Sequence, residues 1–120
     1  MARILVIEDD ERTQTAIRDV LSHGGHVVFV ANNGREGLSR YQEHRPDLVI
    51  TDIFMPERNG LDVILELAPC DAKIIAMSGG GDLDRSDYLD DAMNFGASRS
   101  LTKPFTVDAL VTAVDETLAP

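Results

Sequence analysis

The run Leu48-Val49-Ile50, closed by Thr51 and Asp52, limits what this chain can fold into more than any other stretch. Consecutive aliphatic residues read as a strand covered on both faces, the pattern of a parallel-sheet interior. Asp52 ends that run with a carboxylate, and burial disfavours the charged form of an acid unless something positive meets it. The rest of the sequence must supply both the cover for the strand and the cation that answers Asp52.

Similar apolar runs recur along the chain, each followed by a helical pattern. Strands are expected at Arg3 to Ile7, His26 to Ala31, Asp47 to Asp52, Lys73 to Met77 and, more weakly, Ser98 to Leu101. A first helix starts at Asp10 or Glu11 with acids where the helix dipole favours them, and stops at Gly24-Gly25. Ala16, Ile17, Val20 and Leu21 form its inward face. A second, opened by Asn32, Asn33 and Gly34, runs to about His44 with Leu38 and Tyr41 inward; Gly37 weakens it by about 1 kcal/mol relative to Ala. A third follows the turn signal Asn59-Gly60, buries Leu61, Ile64, Leu65 and Ala68, and ends at Pro69. A fourth spans roughly Arg85 to Phe95 with Tyr88, Leu89, Ala92 and Met93 inward. A fifth runs from a Thr106 cap through Leu118, burying Ala109, Leu110, Ala113 and Val114.

Five strand-then-helix units predict an α/β fold, a doubly wound five-stranded parallel sheet with five helices. Its crossovers are right-handed, so every strand delivers its carboxyl end to one edge, where sites in such sheets lie. The flavodoxin-like order 2-1-3-4-5, taken over as a known arrangement rather than derived from this sequence, makes the first and third strands neighbours. At 120 residues the chain is expected to be a single domain over 1–120 with no output domain. Apolar residues at 43% suffice for a core. Cys70 is the sole cysteine, so a reducing cytoplasm is the simplest compartment, and a small buried or half-buried thiol is its expected role. The four apolar residues Ile4 to Ile7 are too few for a signal peptide or membrane span. A formal charge of −10 argues against direct contact with nucleic acid.

The last residues of the strands carry the chemistry. Glu8 and Asp9 follow the first, Asp52 ends the third, Ser78 follows the fourth and Lys103 lies just past the fifth. Carboxylates about 4 Å apart repel by about 4 kcal/mol per pair at an effective dielectric near 20, so three would cost on the order of 10 kcal/mol. Protons or a cation must intervene. All-oxygen ligands select a hard cation, and a small set that leaves room for water suits Mg2+ better than Ca2+. With Mg2+ neutralising charge, Asp52 can attack phosphorus while Ser78 and Lys103 hold the phosphoryl oxygens, giving an aspartyl phosphate. His23, His26 and His44 fall away from this edge and read as surface residues; Met93 and Phe105 read as core or partial core. The glycines Gly79 to Gly81 match neither nucleotide-binding fingerprint and read as a hinge.

The chain also resembles the receiver domains of bacterial two-component response regulators. The resemblance rests on Glu8-Asp9, on Asp52 with Met55-Pro56 and Gly60 behind it, on Ser78, on Gly96-Ala97 and on Lys103-Pro104-Phe105. It implies that Asp52 is the phosphoacceptor, Asp9 the principal Mg2+ ligand with Glu8 assisting, and the main-chain carbonyl of Phe54 a further ligand. Ser78 matches the family's switch hydroxyl and Lys103 its phosphate partner. The implied donor is a phosphohistidine on a sensor histidine kinase or phosphotransfer protein, and the implied output is a downstream protein bound through the fourth helix, fifth strand and fifth helix. The chain departs from the family at Ser100, where a tyrosine or phenylalanine is usual, at Gly79, where alanine is usual, and in a longer stretch from Ser78 to Lys103. Two other readings remain: a receiver-like interaction module independent of phosphate, and a phosphatase. The latter needs an acid two residues after the nucleophile, where this chain has Phe54. The expected chain is therefore a switch that catalyses its own phosphorylation, not a turnover enzyme.

Overall fold

Strand alternation decides the architecture. In the computed structural model, which describes residues 1–54, 60–79 and 86–119, the strands are β1 (Arg3–Ile7), β2 (Val27–Ala31), β3 (Leu48–Asp52), β4 (Lys73–Gly79) and β5 (Arg99–Lys103). They pair in parallel in the order β2-β1-β3-β4-β5, as expected. Between and after them run α1 (Glu11–His23), α2 (Gly34–His44), α3 (Gly60–Leu67), α4 (Ser86–Phe95) and α5 (Val107–Leu118). Because successive side chains point to opposite faces, Leu5, Ile7, Val49, Ile74 and Ala76 pack on one side with Tyr41, Val63, Ile64, Leu67 and Ala92. Ile4, Val6, Leu48, Ile50, Ile75 and Met77 pack on the other with Ile17, Leu21, Leu110, Ala113 and Val114. Every residue of β3 is buried, which places that strand centrally.

The helix caps follow the sequence. Asn33 accepts a hydrogen bond from the Glu36 N–H and Thr106 accepts one from the Ala109 N–H, so each satisfies a donor that the first turn leaves unpaired. Gly25 has φ +92°, a backbone region open to glycine, where the chain leaves α1.

Several local expectations need correction. β4 and β5 both run two residues further, through the pairs Ser78 with Thr102 and Gly79 with Lys103, because ladder bonds join backbones and tolerate polar side chains. Lys103 is thus the last residue of β5 rather than a residue beyond it. In α3, Val63, Ile64 and Leu67 are buried while Leu65 is 49% exposed; the helix gives way to a 3-10 turn at Ala68–Cys70, so Ala68 is not on a helical core face. Ala16 is exposed and Gln14 takes the buried place on α1. Met93 is 42% exposed beside a fully buried Ala92, and the Cys70 thiol is exposed. His26 and His44 are half-buried: His26 Nδ1 accepts the Ala2 N–H at 3.0 Å, and His44 stacks on Phe29 with centroids 4.0 Å apart. The Met55-Pro56 pair, Asn59, Gly80, Gly81 and Arg85 lie outside the described residues, as do the side chains of Tyr88 and Leu89.

Candidate functional site

Alternation also aims the acids. Glu8 continues the side of Ile4 and Val6, Asp52 that of Leu48 and Ile50, and Lys103 that of Leu101, all on the α1 and α5 face of the sheet. Glu8 is fully buried and Asp52 is 6% exposed, while Asp9 is open to solvent. The three carboxylates bring oxygens within 4.8 Å of one another. Lys103 sends its ammonium over the intervening strands, bonding Glu8 Oε1 and reaching Asp52 Oδ2 at 3.0 Å. The cation demanded by Asp52 is therefore present in the chain, and it is shared.

The backbone braces both acids. The Phe54 N–H donates to Asp52 Oδ1 at 3.3 Å and the Asp10 N–H to Glu8 Oε2 at 3.2 Å. Burial drives the Glu8 carboxyl up to about 7; Lys103 opposes that rise, and the Asp52 charge adds to it. For Lys103, burial pulls downward, but its bonds to Glu8 and Asp52 and their charges outweigh that pull and leave the ammonium above its ordinary value. At the mouth of the site the Thr13 hydroxyl donates to Asp10 Oδ2 at 2.6 Å and holds that exposed carboxyl below its ordinary value.

A profile of the response regulator receiver domain matches residues 4–115. The chain belongs to that family. As a receiver it is similar to the chemotaxis protein CheY of Bacillus subtilis, 37% identical over 119 residues that cover 97% of each chain. It is also similar to the transcriptional regulatory protein PdtaR of Mycobacterium tuberculosis, 31% identical over 94% of this chain and 55% of that one. A crystal structure of a receiver domain protein from Clostridium thermocellum superposes with a TM-score of 0.87 at 34% identity, covering 98% of this chain and 94% of that one. Family and fold together assign the chain a phosphoacceptor role in two-component signalling.

In this receiver, Glu8, Asp9, Asp52 and Lys103 converge as expected. Ser78 is 1% exposed on β4, one residue past Met77, the pairing partner of Asp52. Phe54 lies next to the carboxylate through its main chain. Ser100 is exposed on β5 and brings no aromatic ring to that strand. Sequence reasoning passed over Gln14, a buried side chain whose Nε2 lies 3.0 Å from the Glu8 carbonyl oxygen. Its signal was a polar residue at helical spacing from Ile17 and Leu21. Among the described residues no helix is long and apolar enough to cross a membrane.

Proposed function

We propose that Asp52 takes a phosphoryl group from a phosphohistidine of a sensor histidine kinase or phosphotransfer protein. A carboxylate oxygen of Asp52 attacks phosphorus, the bond from phosphorus to the imidazole nitrogen breaks, and the imidazole leaves with its electron pair. The observation that carries this reading is the convergence of buried Glu8 and Asp52 with exposed Asp9 beneath one shared ammonium. The donor set fits Mg2+: hard oxygens, and an exposed Asp9 that leaves room for water. Glu8, Asp9, Asp52 and the Phe54 carbonyl would hold the ion, which when bound supplies charge neutralisation on the transferring group. Lys103 and the Ser78 hydroxyl hold phosphoryl oxygens on the Asp52 adduct.

Phe54 offers no proton to a leaving group, so the receiver phosphorylates itself without steady turnover. The modified form binds a downstream protein through α4, β5 and α5, where a groove is lined by Met93, Ser100, Ala109 and Ala113. With Ser100 in place of a ring, this output does not involve burying an aromatic at that position. The proposed compartment is the cytoplasm, where sensor kinases present their phosphohistidine. Intact-mass measurement after incubation with Mg2+ and a small acyl phosphate tests the reading. Wild-type protein should gain one phosphoryl group, and EDTA or Asp52→Ala should abolish the gain. An equal adduct on Asp52→Ala, or none on wild type, overturns it.

A further inference from the structure

Of the three buried side chains of α1, two are apolar, Ile17 and Leu21, and the third is Gln14, 8% exposed. Its Nε2 lies 3.0 Å from the Glu8 carbonyl oxygen, 3.1 Å from the Ala31 carbonyl oxygen and 3.1 Å from Asn32 Oδ1. An amide has two N–H donors, so three acceptors share them and the group is fully used. The place of these bonds in the sheet gives them meaning. The last paired residues of β1 and β2 are Ile7 and Ala31, and the Glu8 N–H donates to the Ala31 carbonyl at 3.0 Å to close the ladder. One step further the Glu8 carbonyl has run past the end of β2, and Gln14 supplies a donor where the ladder stops.

That carbonyl belongs to the peptide joining Glu8 to Asp9. The peptide is planar, so tethering its oxygen restrains the rotation of the plane from which both residues depart, Glu8 inward to Lys103 and Asp9 outward to solvent. The Gln14 Nε2 bonds go to the Glu8 and Ala31 carbonyls and Asn32 Oδ1 rather than to either carboxylate, so the amide holds the link between the two acids and ties it to the end of β2.

We infer that Gln14 is a positioning residue for the cation site: it sets the angle between the Glu8 and Asp9 side chains and so tunes Mg2+ affinity. This rests on the reading of those acids as Mg2+ ligands. Groups that orient ligands without touching the metal commonly change affinity by roughly tenfold or more when removed. The test is calorimetric titration of the full chain with Mg2+ alone. Gln14→Met keeps length and volume but has no donor, and Gln14→Asn keeps the amide one methylene short of its acceptors. Both are expected to bind Mg2+ about tenfold more weakly than wild type. Thr117→Val serves as the structural control, since the Thr117 hydroxyl donates to the Ala113 carbonyl at the far end of α5 from Lys103. It should lower melting temperature and leave Mg2+ affinity unchanged. Wild-type affinity in either folded Gln14 variant overturns the positioning role alone. A wild-type protein that takes up no Mg2+ overturns the ligand reading and, with it, this one.

Discussion

Glu8 carries the electrostatic strain of the site. The sequence marks Asp52 as the awkward charge, since it ends the most apolar strand, but burial is more complete at Glu8, which has no exposed surface. Which acid is the deeper depends on how the chain turns after β1, and that turn is held by Gln14 and by the Asp10 N–H, contacts no pattern of residue types records. The consequence is a pH dependence with a definite sign. In metal-free protein the Glu8 carboxyl titrates near 7 in the native state against 4.5 in the unfolded chain, so between those values the native state holds the extra proton. The resulting stabilisation is present in full below 4.5, falls as pH rises, and is gone above about 7. Thermal melts in EDTA from about pH 5 to about pH 8 should therefore show wild type losing more melting temperature than Glu8→Gln, which has no proton to give up. An equal or smaller loss in wild type would mean that Glu8 is not the strained acid.

The junction between β3 and α3 is held by contact between backbones. Gly60 opens α3, its N–H donates to the Ile53 carbonyl at 2.9 Å, and a Cβ there would sit 2.1 Å from the Asp52 carbonyl oxygen and 2.7 Å from Ile53 Cα. Neither atom can move without moving the strand that carries Asp52. Gly37 in α2 is different: its Cβ would meet only side-chain atoms of the buried Ile7, Cδ1 at 2.3 Å and Cγ1 at 2.8 Å, so alanine there asks Ile7 to repack but displaces no strand backbone. Alanine at Gly60 should cost about 1–3 kcal/mol in chemical denaturation. At Gly37 the cost should be smaller, because alanine regains about 1 kcal/mol of helix propensity. A Gly37→Ala variant less stable than Gly60→Ala would contradict this. Gly37 thus reads from sequence as a weak point and from structure as a close contact. The helices themselves were legible, with caps at Asn33 and Thr106, since capping is a local exchange of hydrogen bonds. Their rotations were less so. In α3, Leu61, Ile64 and Leu65 offer one apolar face, yet Val63, Ile64 and Leu67 are buried and Leu65 is not, because this short helix carries apolar residues on more than one side and packing against the sheet selects among them.

Across the fold, strand order turns separate strand ends into one site. β1 and β3 are neighbours, so Glu8 and Asp52 meet, whereas β4 stands between β3 and β5 and only a side chain as long as lysine spans that gap. The five strand-helix units, the parallel sheet and the acidic edge could all be read from the sequence, because each depends on local periodicity or on an unusual residue at a strand end. The strand order could not be derived from the sequence and was taken over as the known flavodoxin-like arrangement. The sharing of Lys103 between two acids and the continuation of β5 through that residue could not be read, since both depend on pairing with β4. The proposed function makes Asp52, rather than Glu8 or Asp9, the acid expected to carry the phosphoryl group. Borohydride trapping after incubation with Mg2+ and a small acyl phosphate tests that assignment directly, because hydride reduces an acyl phosphate to the alcohol and leaves free carboxylates untouched. Peptide mass mapping should find the reduced side chain at position 52 alone. Reduction at Glu8 or Asp9, or an unchanged Asp52 in protein that has gained a phosphoryl group, would contradict it.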